Sequence, residues 1–314
     1  MSTSVSHTEF KTWRSCPRKW QLKYRDENWP TDESIHFIFG TAVHETIQKY
    51  LRVLYKDSIQ AASKLDLVDD LRDRMFESFE EKREDWDEDV EFPITKKQMV
   101  KAAKDGGDIL RHLKSNRSKY FPVQSTTLSG IEHKVFEEIK NGIHWRGYLD
   151  IVLYNEDTGK YKIIDLKTSK DGWDKWKRKE KKRTDQLLAY KLYFAQELGI
   201  RPSMVDIEYL ILKRNKGNFG RFQSFEPPSG DEALSRVESK INEFISSCYN
   251  EDGSKKEGEF KKDPDKFKCA FCPFSQQHGQ MPFCDHNTFL DYPESMDPYV
   301  DSKFVGPQPE LNES

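Results

Sequence analysis

The chain has 314 residues, a third of them charged, and a net charge of −3. That length can bury a full core, as one large domain or two small ones. The slightly acidic balance excludes a global field for nucleic acid, so any such surface must be a local basic patch. No apolar run approaches spanning length, which argues against a membrane protein. The first six residues have neither a basic start nor an apolar centre, so no secretory leader is expected and the protein is read as cytoplasmic (intracellular).

Ser6-x-x-Glu9 has the form of a capping box. Phe10, Trp13, Trp20 and Tyr24 follow at helical spacing, which places them in a core. Pro17 suits a first helical turn better than an interior. The spacing therefore predicts one helix ending near Ser15 and a second starting near Pro17, with Cys16 at the junction. Residues 41–55 form an amphipathic helix with Val43, Ile47, Tyr50, Leu51 and Leu54 on one face. His44 borders that face, either as a core histidine bonded to a carbonyl or as a ligand, and Gly40 marks a tight approach into the helix. Residues 56–125 are expected to be a mostly helical insertion, with a solvated acidic segment at 80–89. A helix at 98–115 has a weak point at Gly106-Gly107. A strand follows over 131–139, with Glu132 taken as a surface charge.

Residues 147–153 and 162–167 are two apolar strands joined by a turn-rich loop. Alternation puts Asp165 and Lys167 on one face of the second strand, with Ile163, and puts Asp150 on the side of Tyr148 and Val152 in the first. Charged groups rarely leave water without a partner. A hard divalent cation such as Mg²⁺ would satisfy both carboxylates. A lysine beside it could orient a water or neutralise a phosphate oxygen, which is the chemistry of metal-assisted phosphodiester hydrolysis. The competing reading is an edge hairpin with solvated charges.

After the hairpin comes a basic loop, residues 173–183, carrying Trp173 and Trp176. A helix to about Leu198 is capped by Thr184; on it Gln186 and Tyr190 lie four apart and share a face. A strand over 205–213 and a helix over 231–249 complete the ordered part, and the proline-bearing residues 291–314 are expected to be a loose tail. One domain thus spans 1–290. Five cysteines without a secretion signal do not suggest a disulfide framework. Cys248 is expected to be a buried thiol, and the late clustering of Cys269, Cys272 and Cys284, within 265–290, points to a metal or cluster site.

The order Gly40-x-x-x-His44, Gly147-x-x-Asp150, Asp165-Leu166-Lys167 and Gln186-x-x-x-Tyr190 resembles the RecB-like branch of the PD-(D/E)xK nuclease superfamily. Phe10-x-x-Trp13-x-x-Cys16-Pro17-Arg18-Lys19-Trp20, with the late cysteines, is similar to the iron–sulfur members of that branch, such as the AddB nuclease domain and CRISPR-associated RecB-like exonucleases. The resemblance implies an α/β, restriction-endonuclease-like fold: a mixed sheet flanked by helices, with an iron–sulfur staple joining the N- and C-terminal regions. It implies that His44, Asp150, Asp165 and the Leu166 carbonyl hold Mg²⁺ or Mn²⁺, and that Lys167 activates the attacking water. Gln186 and Tyr190 would line the site. Cys16, Cys269, Cys272 and Cys284 would bind a 4Fe–4S cluster, with zinc on the cysteines and His278 or His286 as the alternative. The expected activity is that of a metal-dependent DNA exonuclease acting on single-stranded ends in repair, recombination or viral DNA processing. A helicase or recombination protein is a candidate partner. Trp173 and Trp176 would stack on bases, and Lys177, Arg178, Lys181 and Lys182 would contact phosphates. The alternatives are a CRISPR-adaptation trimming nuclease and a non-catalytic DNA-binding module of the same fold, the latter disfavoured by the intact Asp150, Asp165 and Lys167.

Overall fold

The computed structural model describes residues 3–30, 34–86, 90–217, 220–275, 281, 283 and 284. His278, His286, the end of the acidic segment at 87–89 and the expected tail lie outside the described residues. In chain order the elements are β1 (Ser4–Ser6), α1 (His7–Ser15), α2 (Pro17–Trp20), α3 (Ile35–Lys56), α4 (Ile59–Lys64), α5 (Leu67–Glu84), α6 (Lys96–Ser115) and α7 (Arg117–Tyr120). Then come β2 (Thr126–Lys140), β3 (Ile143–Asn155), β4 (Lys160–Ser169), α8 (Lys175–Lys179), α9 (Lys181–Glu197), β5 (Val205–Lys213), β6 (Phe222–Phe225), α10 (Asp231–Cys248) and α11 (Lys266–Ala270). The chain divides into two units. The smaller gathers residues 1–32, 141–143 and 241–314, and the larger holds 33–140 and 144–240.

The larger unit is built on a mixed sheet. β3 runs antiparallel to β4, β4 parallel to β5, and β5 antiparallel to β6, while β2 pairs with β3. The β3–β4 hairpin is set by its turn: the Asn155 side chain accepts the Thr158 N–H at 2.8 Å, and Gly159 takes φ +66°, which glycine adopts without strain. Ile151, Leu153, Ile164 and Leu166 of the hairpin join Leu210 and Leu212 of β5 in one core with α3, α5 and α6. Full burial of each such side chain contributes about 1.5–3 kcal/mol.

Several sequence expectations change here. α3 starts at Ile35, where Ser34 caps it by accepting the His36 N–H, so Gly40 lies inside the helix. A Cβ at Gly40 would meet Thr168 only at 3.8 Å, an ordinary contact. Gly106 and Gly107 do not weaken α6, which runs unbroken from a Thr95–Gln98 capping box. Their small size is used for packing, since a Cβ at Gly106 would stand 2.4 Å from Leu71 Cδ2. The basic stretch is not a loop: Asp174 caps α8, and α9 begins at Lys181 behind Glu180, leaving Thr184 inside the helix.

In the smaller unit the Ser6 hydroxyl accepts the Glu9 N–H and caps α1, and Glu9 returns the bond to the Ser6 backbone. Pro17 opens α2, with Cys16 in extended backbone between the helices; a π-helical turn, Gln21–Arg25, follows without a sequence signal. The aromatic stripe is core: Phe10, Trp13 and Trp20 pack around Phe244 at ring distances of 5.8, 5.5 and 6.2 Å. Glu9 is buried at the centre and accepts from Trp20 Nε1 and from the Tyr249 hydroxyl, both at Oε1. Together with Thr3 to the Gly253 carbonyl, Arg18 N–H to the Lys261 carbonyl and Phe260 N–H to Gln21, these bonds join the two ends of the chain.

Burial raises the Glu9 pKa above the usual carboxylate value, against the Tyr249 and Trp20 hydrogen bonds. A carboxyl whose folded pKa is raised favours the fold most below its unfolded pKa of about 4.3, and that contribution is lost as pH rises through the folded value. Glu9→Gln keeps an oxygen for both donors and does not ionise. The Tm of Glu9→Gln should therefore gain on the wild type as pH is raised from 4 to 7. A constant difference across that range would mean Glu9 is not held in a costly environment.

Candidate active site

The β3–β4 register runs from Asn155↔Lys160 to Ile151↔Ile164. One step further along β3, the Asp150 side chain takes over and accepts the Leu166 backbone N–H at 2.7 Å. Asp165 is 2% exposed. Its Oδ2 lies 2.5 Å from Lys167 Nζ, two residues along on the same strand face, yet makes no hydrogen bond of good geometry. From α3, His44 brings Nδ1 to 3.5 Å from Asp150 Oδ2 and bonds the Leu166 backbone. The hairpin and α3 thus bring together His44, Asp150, Asp165, Leu166 and Lys167.

Burial dominates the charge state of this group. It pushes Asp165 up to about 6, with the Asp150 charge adding to it and Lys167 opposing. It pushes Asp150 up to about 6, against Lys167 and the Leu166 N–H. It pushes His44 down to about 4, helped by the Lys167 ammonium, so the imidazole is neutral at pH 7. Burial works against the Lys167 ammonium as well, but Asp165 and Asp150 outweigh it and hold its pKa above the usual lysine value.

Gln186 and Tyr190, one turn apart on α9, are tied by Gln186 Nε2 donating to the Tyr190 hydroxyl at 3.1 Å. That hydroxyl also takes the Tyr148 backbone N–H. With two bonds accepted, its own proton is left to donate, and burial beside Asp165 and Asp150 keeps the phenol protonated. Gly147 makes room for the ring, because a Cβ there would stand 2.6 Å from Tyr190 Cε1. Tyr148, 49% exposed, alternates onto the Asp150 side of β3 and offers an open aromatic face beside the carboxylates.

The basic segment divides into a packed half and an open half. Trp173 is 5% exposed: its ring lies 4.9 Å from Tyr209, Gln223 clamps its backbone, and Arg183 sits over its other side. At that burial it presents no open face to a base, contrary to the expectation from its sequence setting. Tyr209 in turn donates to the Arg183 carbonyl and lies under Lys167, so Trp173 and Tyr209 hold the start of α9 close to the site. Trp176 is 70% exposed, and Lys177, Arg178 and Lys181 are exposed around it, with Lys182 half-buried.

In kind, the donors fit a hard divalent cation: two carboxylates, a backbone carbonyl at Leu166 and a neutral imidazole. The Asp165 oxygen without a directed hydrogen bond is the observation that matches best. Among the described residues no three His, Cys, Asp or Glu side chains are already close enough to enclose an ion, so binding would have to draw these groups together. Glu132, set aside as a surface charge, adds its negative charge at both His44 and Asp150.

The cysteines lie in the smaller unit. Cys16, Cys269, Cys272 and Cys284 are free and partly exposed, and Cys248 is buried. Cys16 Sγ accepts the Asp263 N–H at 3.4 Å. Burial raises the Cys272 thiol, with Lys19 opposing and the charges of Cys284 and Cys16 adding to it. Thiolates fit a cluster or zinc in kind, but no closed cysteine site occurs among the described residues. No described helix is long and apolar enough to cross a membrane.

Comparison with known proteins bears on the fold and the family. Among solved structures the chain is similar to a Eubacterium rectale protein described as a putative exonuclease, at 15% identity and a TM-score of 0.51, covering 93% of this chain and 91% of that one. At that identity the likeness speaks to the fold alone. A second structure, SSO0001, aligns over 91% of this chain and 87% of its own at 13% identity and a TM-score of 0.37. No curated protein matches. The family model of the PD-(D/E)XK nuclease superfamily matches residues 4–277, a span that includes every residue of the hairpin site, and the chain belongs to that superfamily.

Proposed function

We propose that the protein is a divalent-cation-dependent deoxyribonuclease of the RecB-like branch that trims DNA from single-stranded ends. The observation that carries this reading is the buried Asp165 beside a half-buried Asp150, with the Lys167 ammonium against Asp165 and a neutral His44 at the edge. Asp150, Asp165, the Leu166 carbonyl and His44 would hold Mg²⁺ or Mn²⁺. Bound there, such an ion supplies Lewis-acid polarisation of the phosphate and a water of lowered pKa. Lys167 holds its ammonium within the carboxylate pair, where it can donate to the attacking water or to a phosphate oxygen. Hydrolysis forms a phosphorus–oxygen bond from that water and breaks the bond to the neighbouring sugar oxygen; the water gives up its proton to solvent, and the leaving oxygen takes one up. Tyr190, with its proton free to donate, can bind a phosphate oxygen while Gln186 fixes its hydroxyl.

The strand would run past the open half of the basic segment. Trp176 and Tyr148 have exposed faces on which bases can stack. Lys177, Arg178, Lys181 and Lys182 carry the phosphate contacts, independent of sequence. Helicase and recombination proteins supply the ends such an enzyme would consume and are the partners this reading favours. In the smaller unit, Cys16, Cys269, Cys272 and Cys284 are proposed to hold a 4Fe–4S cluster, supported by the shared electrostatic neighbourhood of Cys272, Cys284 and Cys16.

End-labelled linear single-stranded DNA should be shortened with Mg²⁺ or Mn²⁺, and circular DNA and EDTA-treated reactions should be inert. Asp165→Ala and Lys167→Ala should each abolish cleavage. Asp165→Ala should leave the fold nearly intact, because losing a charge that burial disfavours offsets the loss of the Lys167 partner. Normal cleavage by Asp165→Ala would show that this is not the active site.

Changing Lys177, Arg178, Lys181 and Lys182 together to Ala should weaken single-strand binding at every sequence. It should flatten the salt dependence by roughly two to three units, at about 0.7 per lost contact. Wild-type affinity and salt slope in that variant would move the strand path elsewhere.

Protein purified without oxygen should be brown and contain iron and sulfide, since thiolates are the usual ligands of such clusters. A colourless protein with one equivalent of zinc would assign the cysteines to zinc instead.

A further inference from the structure

We propose that Lys213, with Arg214 and Lys216 beside it, binds a phosphate of the DNA strand next to the one that is cleaved. The assignment rests on the function proposed above. Lys213 ends β5 and is 6% exposed. A charge so buried normally has a partner, yet the Lys213 ammonium has no hydrogen bond or ion pair among the described residues. Lys191, at 5% exposed, shows the ordinary arrangement: its Nζ donates to the Ser229 carbonyl and hydroxyl at 3.1 and 3.2 Å. The carboxylates near Lys213 are engaged elsewhere, Asp171 by Asn215 Nδ2 and Asp108 by Arg221, each at 2.6 Å. Two glycines in left-handed backbone pack on the lysine. A Cβ at Gly172, φ +99°, would stand 3.0 Å from Lys213 Cδ, and one at Gly217, φ +55°, 3.7 Å from its Nζ. The stem is thus packed between two turns, and the ammonium is left to bind something else.

The register fixes where this lysine stands. β4 and β5 are parallel, with Asp165 opposite Tyr209, Lys167 opposite Ile211 and Ser169 opposite Lys213. Lys213 therefore continues the face of Asp165 and Lys167, about 7 Å further along the strands at two residues' rise. The pairing runs on past the strand ends. The Arg214 N–H donates to the Ser169 carbonyl and the Asn215 N–H to the Lys170 carbonyl, each at 2.9 Å, and the Arg221 side chain donates to the Arg214 carbonyl. Residues 213–221 carry four basic side chains and no acid. Arg221 is paired with Asp108; Lys213, the half-buried Arg214 and the exposed Lys216 have no carboxylate partner among the described residues. Gln223 of β6 holds the Trp173 backbone by two bonds, so the cluster adjoins the segment that leads into α8. A strand lying along α8 and across the hairpin would meet Lys213 at a neighbouring phosphate, where a buried point charge is matched by a charge-assisted hydrogen bond.

Lys213→Met keeps the stem and removes the charge, so its Tm should hold or rise. Its Kd for single-stranded DNA, measured by fluorescence anisotropy in EDTA, should weaken about tenfold, the scale of one lost charge-assisted hydrogen bond. Its salt slope should flatten by about 0.7. Oligonucleotides carrying one uncharged methylphosphonate linkage then locate the phosphate, with cleavage in Mn²⁺ fixing the register. The wild type should cut slowly at the bond beside the neutral linkage, on one side of it, and Lys213→Met should not distinguish that linkage from a normal one. An effect confined to the first cut, and present only with a phosphorylated end, would assign the site to a terminal phosphate; one that follows the neutral linkage would assign it to the backbone. A Lys213→Met protein that responds to every linkage and end as the wild type does, whatever its affinity, would overturn the assignment and leave the proposed function standing. No cleavage of any DNA by the wild type in Mn²⁺ would overturn the proposed function and this assignment with it.

Discussion

Two carboxylates set side by side, Asp165 buried and Asp150 half-buried, constrain the larger unit more than any other feature. Asp165, pushed to about 6 from an ordinary 3.8, stays ionised at neutral pH at a cost on the order of 3 kcal/mol to the folded state. That is a sizeable part of the 5–15 kcal/mol by which domains of this kind are stable. Lys167 from the same strand reduces it, and the Leu166 N–H does the same for Asp150. The hairpin supplies the geometry, because its cross-strand register gives way to a side-chain bond where the carboxylates meet.

The rest of the unit serves that point. Gly147 gives Tyr190 its place beside the pair, and Trp173 and Tyr209 pack the start of α9 against Lys167. The exposed half of the basic segment then begins within a few residues of the site. In the smaller unit the two chain ends are joined by Glu9 and by a series of backbone bonds. Holding the ends together therefore does not depend on the cysteines, and a cluster there would add to a junction already made.

Much of this was legible because it follows short-range rules. The hairpin announced itself by alternation and turn residues, α10 and α6 by apolar period, and the Cys16 junction by Pro17. Gln186 and Tyr190 were found by their spacing. What was missed depended on tertiary packing or on backbone conformation. Trp173 and Trp176 look alike in a basic stretch, and only the position of Tyr209 decides that one is core. Gly106 reads as a helix breaker until Leu71 is seen filling the space a Cβ would need. Glu132, read as a surface charge, is exposed, though its positive φ inside β2 had no sequence signal.

The central claim is that Asp150 and Asp165 are brought together to hold a divalent cation. Anomalous diffraction from crystals of the intact protein soaked in Mn²⁺ tests it most directly. The account predicts a manganese peak bridging the two carboxylates next to the Leu166 carbonyl, with the Lys167 ammonium displaced from Asp165. A map with no peak at that position, and the Lys167–Asp165 pair unchanged at saturating Mn²⁺, would contradict it.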